Sequence, residues 1–334
     1  MKHILCPTFI ALLLIHCAQA TEVPFVELKH QFSVTSADFS PDGKRIVTSS
    51  PDGARIWNTE SGEELRKLEV IRDRVHTGHN YAVAFSPDGK KIIMGGPDDI
   101  ALIWDGESGK ELQTLKGHSR YVSSVAFSPD GKKIITTGYR DTPRIWDAET
   151  GKELRQLEVR AIWVRSAQFS PDGKKIVTAG FGDVPRLWDA ESGKEIRRLQ
   201  VDTDLVRWLT DRANENDFYS ATFSLDGTRI VTVGFDRIVR IHDTESGIML
   251  RTLEGHTDVI NTAVFSPNGR QVITAGDDHT ARIWDAETGK ELQTLKGHTG
   301  RVITAIFSPD GKKVVTVSTD NTARIWDISA IETK

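Results

Sequence analysis

The sequence predicts an all-β fold in which seven similar four-stranded antiparallel sheets stand in a closed ring. A Phe-Ser-(Pro/Leu)-(Asp/Asn)-Gly corner recurs at steps of 42 to 54 residues. Each interval contains four short runs rich in Val, Ile and Thr, and turn residues separate these runs. A sheet of this size cannot bury both faces alone, so neighbouring copies must stack on one another around a ring. The corners begin at Phe39, Phe85, Phe127, Phe169, Phe223, Phe265 and Phe307.

The sixth copy shows how each strand is predicted. "DVINTAVF" forms the first strand and runs into a Ser-Pro-Asn-Gly turn. In that turn Pro267 fixes its own φ, and Gly269 can take a positive φ without steric cost. The next three strands are "RQVITAG", "TARIWD" and "KELQTLKG", with a second turn at "AETG". The two turns lie on one face of the ring, the bottom face, and the remaining loops lie on the top face.

The seventh copy predicts how the ring closes. It ends at "RIWDISAIETK" and has no fourth strand of its own. The segment "VPFVELKHQF" near the N-terminus resembles that strand, because Leu28-Lys29 match Leu295-Lys296. Pairing this segment with the last copy removes an open sheet edge that would otherwise favour aggregation. We therefore expect the N-terminal strand to complete the seventh sheet.

Two dipeptides recur in phase with the corners, and they carry a family resemblance. Gly-His precedes the first strand at Gly117-His118, Gly255-His256 and Gly297-His298. Trp-Asp ends the third strand at Trp104-Asp105, Trp146-Asp147, Trp188-Asp189, Trp284-Asp285 and Trp326-Asp327. With these motifs, residues 23–328 resemble the WD40 family, which implies a seven-bladed β-propeller. The resemblance also implies a hydrogen-bonded chain in each regular blade, formed in copy six by His256, Thr274, Asp278 and Trp284.

Copies three to five depart from this pattern on the top face. In copy three, Arg140 occupies the slot that Asp278 holds in copy six, so we expect the chain to lose its carboxylate there. Copies four and five lose further members, with Arg160 and Asn214 in the His slot, Gly182 in the Asp slot and His242 in the Trp slot. Copies one and two also depart, more mildly. Twelve extra residues around 200–212 separate copies four and five.

The aromatic residues point to the same region. Trp163 and Trp208 are the two tryptophans outside the Trp-Asp slot. Trp, Tyr and Arg are the residue types enriched at protein-binding hot spots. We therefore predict a partner-binding site on the top face across blades three to five, formed by Tyr121, Tyr139, Arg140, Trp163, Arg165, Phe181, Trp208 and Phe235. In the alternative interpretation the 200–212 insertion folds over these rings and covers them.

No catalytic, phosphate-binding or metal-ligand signature emerges, so we expect a non-enzymatic scaffold without cofactor or metal that binds a protein or peptide. His76 and His79 look like a metal pair, but His76 occupies the ordinary Gly-His slot. A small-molecule or glycan-binding propeller, with or without catalysis, is the alternative. It would use the mouth of the central channel with Asp141, Asp183 and Asp236 as its acidic groups. A purely structural spacer is a third interpretation.

The charge balance and the N-terminal segment indicate which partners and which compartment to expect. With 43 basic against 47 acidic residues, the chain gives no reason to expect nucleic-acid binding. Residues 1–20 have the layout of a secretory signal, with Lys2, an apolar run and a cleavage site after Ala20. A lipid anchor at Cys17 or an uncleaved anchor is the alternative. We expect an exported protein, periplasmic or secreted, whose mature chain of residues 21–334 is one propeller domain without cysteine or membrane span.

Overall fold

The computed structural model describes residues 23–68, 81–96, 99–159, 161, 163–201 and 217–331. Within these ranges 28 strands form seven four-stranded antiparallel sheets. The predicted all-β, seven-bladed propeller is therefore confirmed. The same ranges contain no helix that is long and apolar enough to cross a membrane. The expected signal segment, residues 1–20, lies outside the described residues.

The first four blades follow the chain in order. Blade one contains β2 (Ser36–Phe39), β3 (Arg45–Ser50), β4 (Gly53–Asn58) and β5 (Glu64–Leu68). Blade two contains β6 (Val83–Phe85), β7 (Lys91–Gly95), β8 (Ile100–Asp105) and β9 (Glu111–Lys116). Blade three contains β10 (Val122–Phe127), β11 (Lys133–Gly138), β12 (Arg144–Asp147) and β13 (Glu153–Gln156). Blade four contains β14 (Trp163–Phe169), β15 (Lys175–Phe181), β16 (Asp183–Asp189) and β17 (Glu195–Arg198).

The last three blades include the strand from the N-terminus. Blade five contains β18 (Phe218–Phe223), β19 (Arg229–Gly234), β20 (Val239–Asp243) and β21 (Met249–Leu253). Blade six contains β22 (Ile260–Phe265), β23 (Gln271–Gly276), β24 (Ala281–Asp285) and β25 (Glu291–Leu295). Blade seven contains β26 (Val302–Phe307), β27 (Lys313–Ser318), β28 (Thr322–Asp327) and β1 (Phe25–Lys29).

The first strand of each blade lies innermost, because β2, β6, β10, β14, β18, β22 and β26 contact one another in sequence around the ring. These strands line the central channel, and each runs from the top face to its Phe corner on the bottom face. The corner is held by its own side chains. In blade one, Ser40 Oγ donates to Asp42 Oδ1 over 2.6 Å and accepts from Arg45 N over 2.9 Å, and Gly43 has φ +69°. The near-identical sequence of these turns therefore has a local structural cause.

The ring closes as the sequence predicts. Strand β1 pairs antiparallel with β28, and Leu28 lies opposite Ala323. Blade six has the same register, in which Leu295 lies opposite Ala281. The Leu28 side chain is buried, so closure combines backbone hydrogen bonds with apolar packing.

The core lies between neighbouring blades. One cluster joins Val47 and Ile56 of blade one to Ile92 and Trp104 of blade two, and similar clusters recur around the ring. Full burial of a large apolar side chain stabilises a fold by about 1.5–3 kcal/mol. Each blade thus depends on its neighbours for its stability, which leaves the top-face loops free to vary on a rigid scaffold.

Candidate partner-binding site on the top face

Blades six and seven contain the complete hydrogen-bonded chain that the family resemblance implies. The Trp284 indole N–H donates to Thr274 Oγ1 over 2.9 Å. Thr274 Oγ1 lies 2.7 Å from His256 Nε2, and His256 Nδ1 lies 2.8 Å from Asp278 Oδ2. A carboxylate only accepts, so Nδ1 carries the imidazole proton and the Thr hydroxyl donates to Nε2. Blade seven repeats this arrangement with Trp326, Thr316, His298 and Asp320.

The pKa values of blade seven favour the charge state that this chain requires. Burial lowers the pKa of His298, so its imidazole stays neutral. Burial alone would raise the pKa of Asp320, but hydrogen bonds from Thr322 and His298 lower it to about 2. A neutral imidazole and an ionised carboxylate therefore persist at neutral pH.

Blade three also has a complete chain, so the expectation that Arg140 interrupts it is wrong. His118 Nδ1 lies 3.0 Å from Asp141 Oδ2, and His118 Nε2 lies 2.6 Å from Thr136 Oγ1. Trp146 Nε1 donates to Thr136 Oγ1 over 2.7 Å. Asp141, the next residue along the chain, supplies the missing carboxylate.

The cause of this difference is a shift in the conformation of the loop. In blade six the left-handed residue is His279, with φ +67°, which follows Asp278. In blade three it is Arg140, with φ +52°, which precedes Asp141. The left-handed turn comes one residue earlier, so Asp141 turns inward and Arg140 is exposed at the surface. Alignment by residue count alone could not show this shift.

Blade four has the same loop conformation as blade three but lacks the complete chain. Gly182 stands at the position of Arg140, with φ +77°. Asp183, in the position of Asp141, accepts from Arg186 Nε over 2.7 Å. Pro143 and Pro185 follow these loops in the two blades. Their carbonyl oxygens still accept from the backbone N–H groups of Leu157 and Leu199, which directly follow the outer strands. Among the described residues, one bond of the hydrogen-bonded chain remains in this blade, in which Trp188 Nε1 donates to Thr178 Oγ1 over 2.9 Å.

Blade five replaces the tryptophan with a buried histidine. His242 Nε2 lies 3.0 Å from Thr232 Oγ1, so the imidazole takes the place of the indole that the other blades have there. Burial, with a further contribution from Arg240, lowers the pKa of His242 to about 3. Asp236 forms an ion pair with Arg240. Within the part of the chain that the structure describes, His242 Nδ1 has no hydrogen-bond partner.

An aromatic ladder runs over the top face from blade three to blade five. We define it as Tyr121, Tyr139, Trp163, Phe181 and Tyr219. Tyr121 and Tyr139 stack with ring centroids 5.3 Å apart, and Trp163 meets Tyr139 edge-on at 5.0 Å. Trp163 stacks on Phe181 at 4.9 Å, and Phe181 meets Tyr219 at 5.2 Å. All five side chains are half-buried.

The ladder contains four of the eight predicted site residues. Arg140 lies beside it, with its guanidinium 5.4 Å from the Tyr139 ring centroid. Phe235 is half-buried, but among the described residues no ring contact joins it to the ladder. Trp208 and most of the 200–212 insertion lie outside the described residues. The sequence reasoning missed Tyr219, although Tyr219 and Arg165 precede their corner Phe by the same number of residues.

Arg165 lies where the ladder meets the central channel. Its guanidinium lies 4.0 Å from the Tyr219 ring centroid, and Nη2 donates to Asn261 Oδ1 over 3.5 Å. Burial lowers its pKa to about 10, which leaves it charged at neutral pH. No carboxylate among the described residues forms an ion pair with it. Arg165 and Trp163 line a cavity of about 150 Å³ at the channel mouth. Hydroxyl-bearing residues supply much of the remaining lining, namely Thr35, Ser36, Ser123, Ser124, Ser166, Ser220, Thr262 and Thr304.

The three acids proposed for a small-molecule site at this mouth are engaged elsewhere. Asp141, Asp183 and Asp236 each form an ion pair with an arginine of their own blade. They do not line the cavity at the channel mouth. The residues that the structure describes also contain no group of three or more His, Cys, Asp or Glu side chains arranged to hold a metal.

The comparison with family models agrees with the architecture. The model for the WD domain, G-beta repeat, matches residues 23–58, 72–105, 109–147, 151–189, 247–285 and 289–327, more than half of the chain. The chain belongs to the WD40 family. These propellers typically serve as protein-interaction scaffolds and are generally not enzymes. Three of the four strands of blade five, β18 to β20, lie outside the matched ranges of this WD40 protein, in keeping with the loss of Gly-His and Trp-Asp in this blade. The comparison with curated proteins gave no match.

Proposed function

We propose that this WD40 propeller is a non-enzymatic scaffold that binds a protein or peptide partner on its top face across blades three to five. The aromatic ladder is the observation that carries the proposal. Half-buried aromatic rings in mutual contact form a rigid apolar surface, which can bind a partner at little cost in side-chain entropy. Each ring pair contributes about 0.5–1.5 kcal/mol beyond its buried area, so the surface is stable before a partner arrives.

Two arginines give this surface its polarity. Arg140 is exposed beside Tyr139, and Arg165 is held against Tyr219 without a carboxylate partner among the described residues. An arginine fork forms its strongest hydrogen bonds with carboxylates, and it also binds backbone carbonyl oxygens. We infer that the partner presents an acidic side chain or a turn rich in free carbonyl oxygens to this face.

The test is affinity capture from an extract of the native host under mild cross-linking, with the captured proteins identified by mass spectrometry. Wild-type chain is compared with Trp163→Ala and Arg165→Ala. A hot-spot truncation costs about 2 kcal/mol or more, so we expect recovery of the partner to fall by about thirtyfold. Thermal melting checks that each variant is folded.

The matched control is Arg301→Ala. Arg301 stands on blade seven at the same distance before its corner Phe as Trp163 does on blade four, and its side chain is exposed. We expect this variant to capture the partner as the wild type does. Retention of the same partner by a folded Trp163→Ala variant would overturn the proposed surface.

We further propose that the protein is exported to the periplasm or secreted, with cleavage after Ala20. The three-part layout of residues 1–20 supports this proposal. N-terminal sequencing of the protein purified from its host tests it. The expected first residue is Thr21, whereas a chain that begins at Met1, or one that is acylated at Cys17, would contradict cleavage at this site.

A further inference from the structure

A larger cavity lies at the opposite end of the channel, in the centre of the bottom face. Its volume is about 660 Å³, which falls within the roughly 300–1,000 Å³ typical of small-molecule sites. All seven blades contribute their Phe corners to the lining. The rim consists of six prolines and one leucine, namely Pro41, Pro87, Pro129, Pro171, Leu225, Pro267 and Pro309. The cavity is thus a largely apolar funnel.

Among the described residues that line this funnel, Asp38 is the single ionisable one. It precedes the corner Phe of blade one, where the other blades have Ala84, Ala126, Gln168, Thr222, Val264 and Ile306. Asp38 Oδ2 accepts from Phe85 N over 2.8 Å, and Gln168 Oε1 accepts from Phe223 N over 3.2 Å in the same way. A neutral amide therefore suffices for this bond between blades, so the bond itself does not require the negative charge of Asp38.

No cation neutralises Asp38 among the described residues. Its strand packs against β3, β6, β26 and β27. The cationic residues on these four strands are Arg45 and Lys313. Arg45 donates to the carbonyl oxygens of Gly89 and Gly106, and Lys313 donates to Glu60 over 2.6 Å. Burial raises the pKa of Asp38 to about 7, although the hydrogen bond from the backbone N–H of Phe85 lowers it.

We propose that the bottom funnel binds a small hydrophobic ammonium compound. The apolar body would pack against the Phe and Pro side chains, and the ammonium group would pair with the Asp38 carboxylate. Charge complementarity selects this class, because the described lining of the funnel offers one unneutralised acid and no cation. Aromatic walls also favour a cation over a neutral group of the same size. This site is independent of the partner surface on the top face.

The experiment is isothermal titration calorimetry of the full chain at pH 8 with 4-phenylbutylamine and with the neutral 4-phenylbutan-1-ol. We expect the amine to bind at least about tenfold more tightly than the alcohol, a difference of about 1.4 kcal/mol. Asp38→Asn keeps an acceptor for Phe85 N and removes the charge. We expect this variant to bind the two compounds equally.

The matched control is Glu107→Gln, which removes an exposed acid outside the funnel and should leave the preference for the amine unchanged. A lower pH provides a second readout. Asp38 becomes neutral as the pH falls below about 7, so amine affinity should fall about tenfold between pH 8 and pH 6 in the wild type and stay constant in Asp38→Asn. Ala126→Phe narrows the funnel and should weaken the binding of both compounds.

Three results would overturn the proposal. They are absence of amine binding, equal binding of amine and alcohol by the wild type, and a preference for the amine that survives in Asp38→Asn. None of these results bears on the top-face partner, because the aromatic ladder and Arg165 do not line the funnel.

Discussion

Blades six and seven use their top loops differently from blades three and four. In blade six, Asp277 stands at the position of Tyr139 and accepts from Asn261 Nδ2 over 2.7 Å. In blade seven the same position is Thr319, which accepts from Arg301 N over 3.0 Å. These polar side chains support the loop from within. In blades three and four the position is aromatic and forms part of a continuous ladder.

Blade three shows that the internal chain and the aromatic surface do not exclude each other. It keeps the complete hydrogen-bonded chain through Asp141 while Tyr139 joins the ladder and Arg140 is exposed. A left-handed residue one place earlier in the loop makes both possible. A top loop can therefore change to form a binding surface while the hydrogen bonds beneath it are kept.

The largest loss of stability is expected where the complete hydrogen-bonded chain of a blade is interrupted. Thr274→Val in blade six leaves the Trp284 indole N–H and His256 Nε2 without partners, and should lower the free energy of unfolding by about 2–4 kcal/mol. Thr178→Val in blade four leaves one indole N–H without a partner, so we expect the free energy of unfolding to fall by about 1–2 kcal/mol. Urea denaturation measures both. Equal losses would mean that the complete chain adds nothing.

The next prediction tests the reassigned carboxylate of blade three. Asp141→Ala removes the partner of His118 Nδ1 and of the Ser119 backbone N–H, and should cost about 2 kcal/mol of stability. Arg140→Ala alters an exposed side chain and should stay within about 0.5 kcal/mol of the wild type. The two variants are compared by their urea midpoints. A larger loss for Arg140→Ala would contradict the shifted loop.

Blade five should make the protein sensitive to mild acid. The folded state lowers the pKa of His242 from 6.5 to about 3, so it resists protonation that the unfolded chain accepts. The stabilisation is complete above about pH 6.5 and is lost by roughly 1.4 kcal/mol per pH unit as the pH falls toward 3. His242→Gln keeps a partner for Thr232. Between pH 6.5 and pH 5 its free energy of unfolding should fall by about 2 kcal/mol less than that of the wild type. Parallel pH profiles for the two proteins would contradict this assignment.

Substitution of Arg165 should have little effect on stability. Arg165→Met removes a desolvated cation and keeps most of the contact with Tyr219, so the free energy of unfolding should stay within about 1 kcal/mol of the wild type. Partner capture should nevertheless fall as it does for Arg165→Ala. A large loss of stability would make Arg165 a structural residue of the channel rather than part of a binding surface.

Much of the fold could be predicted because the same strand and turn pattern occurs seven times in the sequence. The corners, the Trp-Asp ends and the matching of Leu28 with Leu295 predict the blades and the closing pair correctly. The error at Arg140 arose because residue count does not report backbone conformation. Tyr219 was missed because its neighbours in the ladder come from other blades, at distances along the chain that no local pattern links.

The repeated sequence, together with its family resemblance, was enough to predict the seven-bladed ring, the hydrogen-bonded chains of blades six and seven and the aromatic top face of blades three and four. The ring follows from turn chemistry, strand alternation and repetition, whereas the hydrogen-bonded chains are what the resemblance to the WD40 family implies. The three-dimensional arrangement was needed to place Asp141 in the chain of blade three, Tyr219 in the ladder and Asp38 in the apolar funnel. The first depends on the φ angle of Arg140, and the other two depend on neighbours in other blades, and residue count along the chain reports neither.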